Sequence, residues 1–239
     1  MQEKYIGDER DYVKYALLRH LAEQMPEAKL GVNWYRFETN ENHGEKRGYL
    51  DNAKKWRGLD AKLFDALKAA DFQSKENRKL SNIEKLDIWP KNTIFYDVSI
   101  PEGMTKIGRG EWHRRAKAEL DQTDLLFLDP NTGGKIRTIG KSADVDARKY
   151  ILDTELFDYA REKITVFFQY RWRCSPQEQV NRRRQWYERL KRHEIRIDLP
   201  VILGSNVLFF TFAPKAKAEG LSECLSGFSM KHEEIKLIS

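Results

Sequence analysis

No apolar run in this chain is longer than about five residues, and the runs that occur are rich in β-branched and aromatic side chains. KLGVNWYRF, NTIFYDVSIP, DLLFLD, ITVFFQYRW and NVLFFTF are separated by segments whose apolar residues recur at helical spacing. Short buried strands alternating with helices predict an α/β fold, a three-layer sandwich around a mainly parallel central sheet, Rossmann-like in arrangement. Val13, Leu17, Leu18 and Leu21 mark a first helix, capped by Asp8 or Asp11 and ended before Pro26. Further helices are expected in LDAKLFDALKAADF, at 110–121, near 146–162 and at 175–193, with a strand in EIRID and a final helix and strand. A length of 239 residues suits one domain, 1–239, with a polar loop insertion near 38–58.

Runs this short cannot cross a bilayer, so no membrane association is expected. The opening MQEKYIGDERDYVKY lacks the apolar core and cleavage site of a secretory signal. Cys174 and Cys224 are the only cysteines, too few for a CxxC zinc site or a disulfide scaffold. The expectation is a cytoplasmic, metal-free monomer.

The formal charge is +6, from 43 Lys and Arg against 37 Asp and Glu. Between Gln169 and His193, eight cations face only Glu178 and Glu188, so this one stretch accounts for the whole excess. Arg171, Arg173, Arg182, Arg183 and Arg184 are interleaved there with Tyr170, Trp172, Trp186 and Tyr187, the mixture that grips phosphates while stacking bases. A weaker second cluster lies in KIGRGEWHRRAKAE, with Lys106, Arg109, Arg114, Arg115 and Lys117, and the last long strand is expected to deliver Lys215 to the same sheet edge as Gln169 and Tyr170. DNA is the expected partner, although an Arg-rich helix also serves as a plain solvated face.

In parallel α/β sheets ligands bind at the carboxyl ends of the strands. LLFLDPNTGG puts Asp129 and Asn131 at the end of a buried strand, with Pro130 fixing the turn and Gly133 and Gly134 allowing close approach. A carboxylate there orients water or stabilises a developing cation, and a carboxamide reads a base edge, whereas plain turn chemistry explains the same residues without function. The neighbouring strands deliver Asn33, Trp34 and Tyr35, and Gln169 and Tyr170, as candidate base-pocket residues. GDERDYVKY adds Asp8, Asp11, Lys14 and Tyr15, the last three on one face of the first helical turns.

The order of GDERDYVKYALLRHL, a strand, and later LFLDPNTGG resembles the bacterial rRNA adenine methyltransferases, in which a DPPY loop holds the target amino group. EIRID and NVLFFTF look like that family's closing antiparallel strands. The resemblance implies S-adenosylmethionine as cofactor, but WYRFETNEN stands where the family's glycine-rich cofactor loop belongs. LFLDPNTGG is also similar to the water-activating loop of the uracil-DNA glycosylase superfamily, with Asp129 in the place of the water-orienting carboxylate and Asn131 nearby. FTFAPKAKAEG is loosely similar to that superfamily's HPSP element. This second resemblance implies cofactor-free hydrolysis of an N-glycosidic bond after base flipping. A cofactor-free base-excising enzyme of this kind is similar to prokaryotic glycosylases that defend against phages by removing hypermodified, including glucosylated, cytosines.

The expectation is therefore a DNA glycosylase with Asp129 and Asn131 as catalytic residues and no cofactor. The alternatives are an S-adenosylmethionine-dependent adenine methyltransferase and a non-catalytic nucleic-acid-binding relative. Asn40, Asn42 and His43 in the polar loop 38–52 either widen a pocket for a bulky base or face solvent.

Overall fold

The computed structural model describes residues 2–38, 47–103, 105–135, 146–170, 194–196, 199–204 and 206–238, together with Ser175, Glu178, Asn181, Arg184 and Glu188. The helices are α1 (Glu9–Gln24), α2 (Ala53–Trp56), α3 (Ala61–Ala69), α4 (Leu80–Glu84), α5 (Lys106–Glu119), α6 (Asp153–Ala160) and α7 (Leu221–Ser229). The strands are β1 (Leu30–Asn33), β2 (Ile94–Tyr96), β3 (Leu125–Leu128), β4 (Gly133–Lys135), β5 (Tyr150–Leu152), β6 (Ile164–Tyr170), β7 (Ile195–Arg196), β8 (Val201–Gly204), β9 (Val207–Pro214) and β10 (Lys236–Ile238). The molecule is a mixed α/β protein.

The main sheet runs β10-β8-β9-β6-β3-β1-β2, with β7 also paired to β9. Strands β2, β1, β3 and β6 are mutually parallel, while β9 is antiparallel to β6, β7 and β8, and β10 is antiparallel to β8. The expectation of a mainly parallel sheet thus holds for one half only. For β8 and β9 the reason is connection length: β8 ends at Gly204 and β9 begins at Val207, too short a link for the crossover that parallel pairing requires.

β3 is apolar throughout because both of its faces are covered. Leu125 and Phe127 join a cluster with Val13 and Leu17 of α1, whereas Leu126 and Leu128 join another with Trp112 of α5 and Tyr159 of α6. Side-chain alternation then turns Asp129 toward the α1 side. The expected helix near 146–162 is shorter, since a 3-10 turn at Ala147–Lys149 and strand β5 precede α6, and β5 pairs in parallel with β4. Within the expected insertion, residues 47–58 pack onto α1 through buried Tyr49, Leu50 and Trp56, and the Tyr12 hydroxyl donates to the Trp56 carbonyl at 2.8 Å. Asn40, Asn42 and His43 lie outside the described residues.

Phe127 is fully buried in the cluster that holds β3 against α1. Phe127→Ala is expected to lower the unfolding free energy by about 3–5 kcal/mol in urea denaturation; a loss below about 1 kcal/mol would show that this contact does not anchor the sheet.

Candidate active site

The first turn of α1 is built to put charge under the sheet. Asp8 caps the helix, its Oδ1 accepting from the N–H groups of Arg10 at 2.9 Å and Asp11 at 3.0 Å. Gly7 precedes it at φ +75°, and a Cβ there would stand 2.8 Å from the Phe72 ring, so only glycine fits. The Gly7 N–H donates to Asp11 Oδ2 at 3.1 Å, and the Tyr49 hydroxyl donates to the Gly7 carbonyl at 3.2 Å. Arg47 secures the preceding loop by donating to the carbonyls of Lys4 and Ile6.

On this frame Lys14 Nζ lies between two carboxylates, 2.7 Å from Asp11 Oδ1 and 2.8 Å from Asp129 Oδ2. The Tyr15 hydroxyl donates to Asp11 Oδ2 at 3.1 Å. Asp8, Asp11, Lys14 and Asp129 are each only 2% exposed, so the cluster is a charge network inside the protein. Burial opposes the Lys14 charge, but Asp11 and Asp129 more than compensate and hold its pKa above the usual lysine value. Burial pushes the Asp129 carboxyl up, with Lys14 as the main opposing influence. Burial also pushes Asp8 up to about 7, reinforced by the Asp11 charge and opposed by Arg10. Desolvation keeps Tyr15 a neutral donor.

The loop after β3 is fixed by backbone as well as side chains. The Asp129 N–H donates to the Asn33 carbonyl at 2.9 Å, and the Thr132 carbonyl accepts from the Tyr170 N–H at 3.0 Å. Gln169 accepts from the Gly134 N–H at 2.9 Å and donates to the carbonyls of Thr132 and Tyr170, each at 3.2 Å. Gly133 stands at φ +120°, and a Cβ on it would come 2.4 Å from Gln169 Oε1. The group this glycine lets approach is thus the Gln169 amide, which holds the loop. Asn131 is half-buried on the same loop.

The sequence candidates divide accordingly. Asp8, Asp11, Lys14, Tyr15 and Asp129 come together. Asn33 sits beside Asp129 through the backbone, but its amide faces the Tyr159 hydroxyl at 3.4 Å, on the α6 side. Trp34 is a core residue, edge-on to Tyr15 and stacked with Phe95, its Nε1 donating to Glu84 at 2.7 Å. Tyr35 is fully buried in the opposite cluster at φ 45°. Its hydroxyl donates to Glu155, which also pairs with Arg109, and that network maintains the unusual backbone.

Tyr170 stands at the end of β6 with the Arg10 guanidinium 4.8 Å above its ring. Arg184, Arg114 and Arg115 are exposed, the last two bound to Glu111 at 2.8 and 2.9 Å. Lys215 is corrected in place: because β9 runs antiparallel to β6, its end lies at the opposite sheet edge from Asp129, where neighbouring Lys217 meets Asp124 at 3.6 Å. Arg171, Arg173, Arg182 and Arg183 lie outside the described residues.

Sequence reasoning missed Arg10, whose charge is unremarkable beside Asp8 and Asp11, and the buried Arg109–Glu155 pair, which joins residues far apart in the chain. It also missed Gln2, a buried amide with neither polar atom bonded among the described residues. Among the described residues no group of three or more His, Cys, Asp or Glu could hold a metal ion, and no helix is long and apolar enough to cross a membrane. No protein-family model, curated protein or solved structure matches the chain.

Lys14→Met removes the ammonium that Asp11 and Asp129 share and is expected to cost about 3–5 kcal/mol of stability by chemical denaturation; a neutral effect would show that this contact does not hold α1 to the end of β3. The Asp8 shift has a definite sign. A carboxyl raised on folding from its usual 3.8 to about 7 takes up protons as the chain folds, so its contribution to stability declines as pH rises between those values and levels off above. Asp8→Asn keeps a cap acceptor but cannot ionise. Relative to this variant the wild type should lose stability from pH 4 to 7, by at most about 1.4 kcal/mol per pH unit; a constant difference across that range would contradict the shift.

Proposed function

We propose that this protein is a DNA glycosylase that hydrolyses the N-glycosidic bond of a modified nucleobase flipped into the carboxyl edge of the sheet. The observation that carries the reading is the buried Lys14 held between Asp11 and Asp129. It fixes one carboxylate at the end of the central strand and favours its ionised form, so no reorganisation is needed when positive charge develops on the sugar. The fold that accompanies this reading is a three-layer, Rossmann-like sandwich.

In the proposed reaction Asp129 orients a water toward C1′ and stabilises the oxocarbenium-like sugar. The C1′–N bond breaks, the base leaves with the bonding electron pair, and the water adds its oxygen to C1′ while its proton passes to the site and then to the departing base. Lys14 keeps Asp129 in place, Asp11 positions Lys14, and Gln169 positions the loop. Asn131 and Tyr170 are the side chains offered to the base. The Arg-rich stretch that begins directly after Tyr170 supplies the affinity for the DNA backbone. Glucosylated cytosine in phage DNA is the substrate class to try first.

The second reading is an S-adenosylmethionine-dependent adenine methyltransferase, favoured by the antiparallel closing strands β7 and β9. The residues after β1 do not fit that cofactor. Where a glycine-rich loop would cradle the methionine moiety, the chain carries Trp34, Tyr35 and Phe37, all buried in the core.

The test is to incubate DNA carrying normal, damaged or phage-type modified bases with the protein alone and to look for alkali-labile abasic sites. Wild type is expected to form them, and Asp129→Asn to lower the rate at least about 100-fold. Absence of product on every substrate combined with micromolar binding of S-adenosylmethionine by calorimetry would sink the proposal. Retained DNA affinity with neither result would point to the binding-module alternative.

A further inference from the structure

We infer that Arg10 and Tyr170 form a binding site for a single phosphate at the rim of the buried Asp11–Lys14–Asp129 cluster. The inference builds on the proposed function by naming where the flipped nucleotide's phosphodiester is gripped, and it uses none of the arginines of the Arg-rich stretch.

Three observations support it. The guanidinium lies 4.8 Å above the Tyr170 ring, so one of its faces is covered and its orientation is set. Its Nε is buried and has no hydrogen-bond partner among the described residues. Its only ion pair there is to Asp8 Oδ2 at 3.7 Å, beyond hydrogen-bond length. A planar donor held on an aromatic ring, with its N–H groups left over, suits bidentate recognition of a phosphate.

The placement also has a simple geometric origin. Arg10 and Lys14 are four residues apart on α1, about 6 Å along the helix. Tyr170 and Phe168 are two apart on β6, about 6.6 Å along the strand. The two spacings match, so Arg10 covers Tyr170 while Lys14 lies 5.3 Å from the Phe168 ring. The cation that fixes Asp129 and the cation offered to a phosphate therefore stand one helical turn apart on the same face.

The test compares wild type, Arg10→Ala and Arg10→Lys in binding a labelled DNA oligonucleotide, deoxycytidine 5′-monophosphate, deoxycytidine and inorganic phosphate. For phosphate-bearing probes Arg10→Ala should bind about 10- to 100-fold more weakly. Arg10→Lys should recover part of the loss, and deoxycytidine binding should not change. On the oligonucleotide, the slope of log affinity against log salt should fall by about 0.7–0.9. Unchanged affinity in Arg10→Ala, a loss with an unchanged salt slope, or a wild type that binds no phosphate-bearing probe would overturn the site. The two readings fail separately. If the mononucleotide or free phosphate depends on Arg10 while DNA neither binds nor reacts, the phosphate site stands and the glycosylase reading falls. If base excision proceeds with the same KM in Arg10→Ala, the reverse holds.

Discussion

A lysine with almost no exposure is stable in this fold because two carboxylates meet it, and much of the architecture follows from that requirement. Lys14 joins the first turns of α1 to the end of β3 across 115 residues of chain. Desolvation would otherwise drive its charge out, and it pushes the Asp129 carboxyl toward protonation. The three groups are therefore interdependent. The Asp8 cap, the glycine at position 7, the Arg47 contacts to the Lys4 and Ile6 carbonyls and the Tyr49 hydroxyl hold the turn that presents Asp11. On the opposite side, β3 and the Gln169 amide hold the loop that presents Asp129. A helix and a strand are thus held together by electrostatics as well as by packing.

This rigidity bears on chemistry. A carboxylate on a mobile loop must be desolvated and oriented as the reaction proceeds, whereas Asp129 is already desolvated, oriented and paired. Gln169 illustrates the same economy. Its amide is spent on the backbone of the loop, and Gly133 exists at φ +120° to let it in. What looked in sequence like a base reader at the end of β6 acts within the protein as a support for the neighbouring residues.

How far the sequence was legible depended on the range of the interactions. The strands β1, β3, β6 and β9 could be read because burial on two faces makes them mostly apolar, the edge strand β2 because it is β-branched and aromatic, and the cap at Asp8 because it acts over three residues. Asp129 stood out because Pro, Asn and Gly after an apolar run mark a strand end. The pairing of Lys14 with Asp129 was open, since nothing local distinguishes an i,i+3 surface pair with Asp11 from a buried three-way contact. The position of Lys215 depends on strand direction, which a strand's own sequence does not encode. Trp34 and Tyr35 are adjacent yet point into opposite clusters, so an aromatic at a strand end does not by itself report a pocket.

The same alternation explains why the charged groups segregate at this edge of the sheet. On the α1 side lie Asp11, Lys14, Asp129 and Arg10; on the α5–α6 side lie Arg109, Glu155, Tyr35 and the Asn33 amide. The second network is closed: Glu155 receives Arg109 twice, at 2.5 and 2.9 Å, and also accepts from the Leu152 N–H and the Tyr35 hydroxyl. The first is closed at Lys14 but open at Arg10, whose Nε has no partner among the described residues. Two networks at one edge, one complete and one with a donor left over, assign different work to the two faces. The complete one maintains the backbone at Tyr35, while the other carries the proposed phosphate site. Because Arg10 and Lys14 share one helix face, a shift of α1 that moved the first would move the second and Asp129 with it. The proposed grip on a phosphate and the alignment of the carboxylate are thereby coupled through a single rigid element.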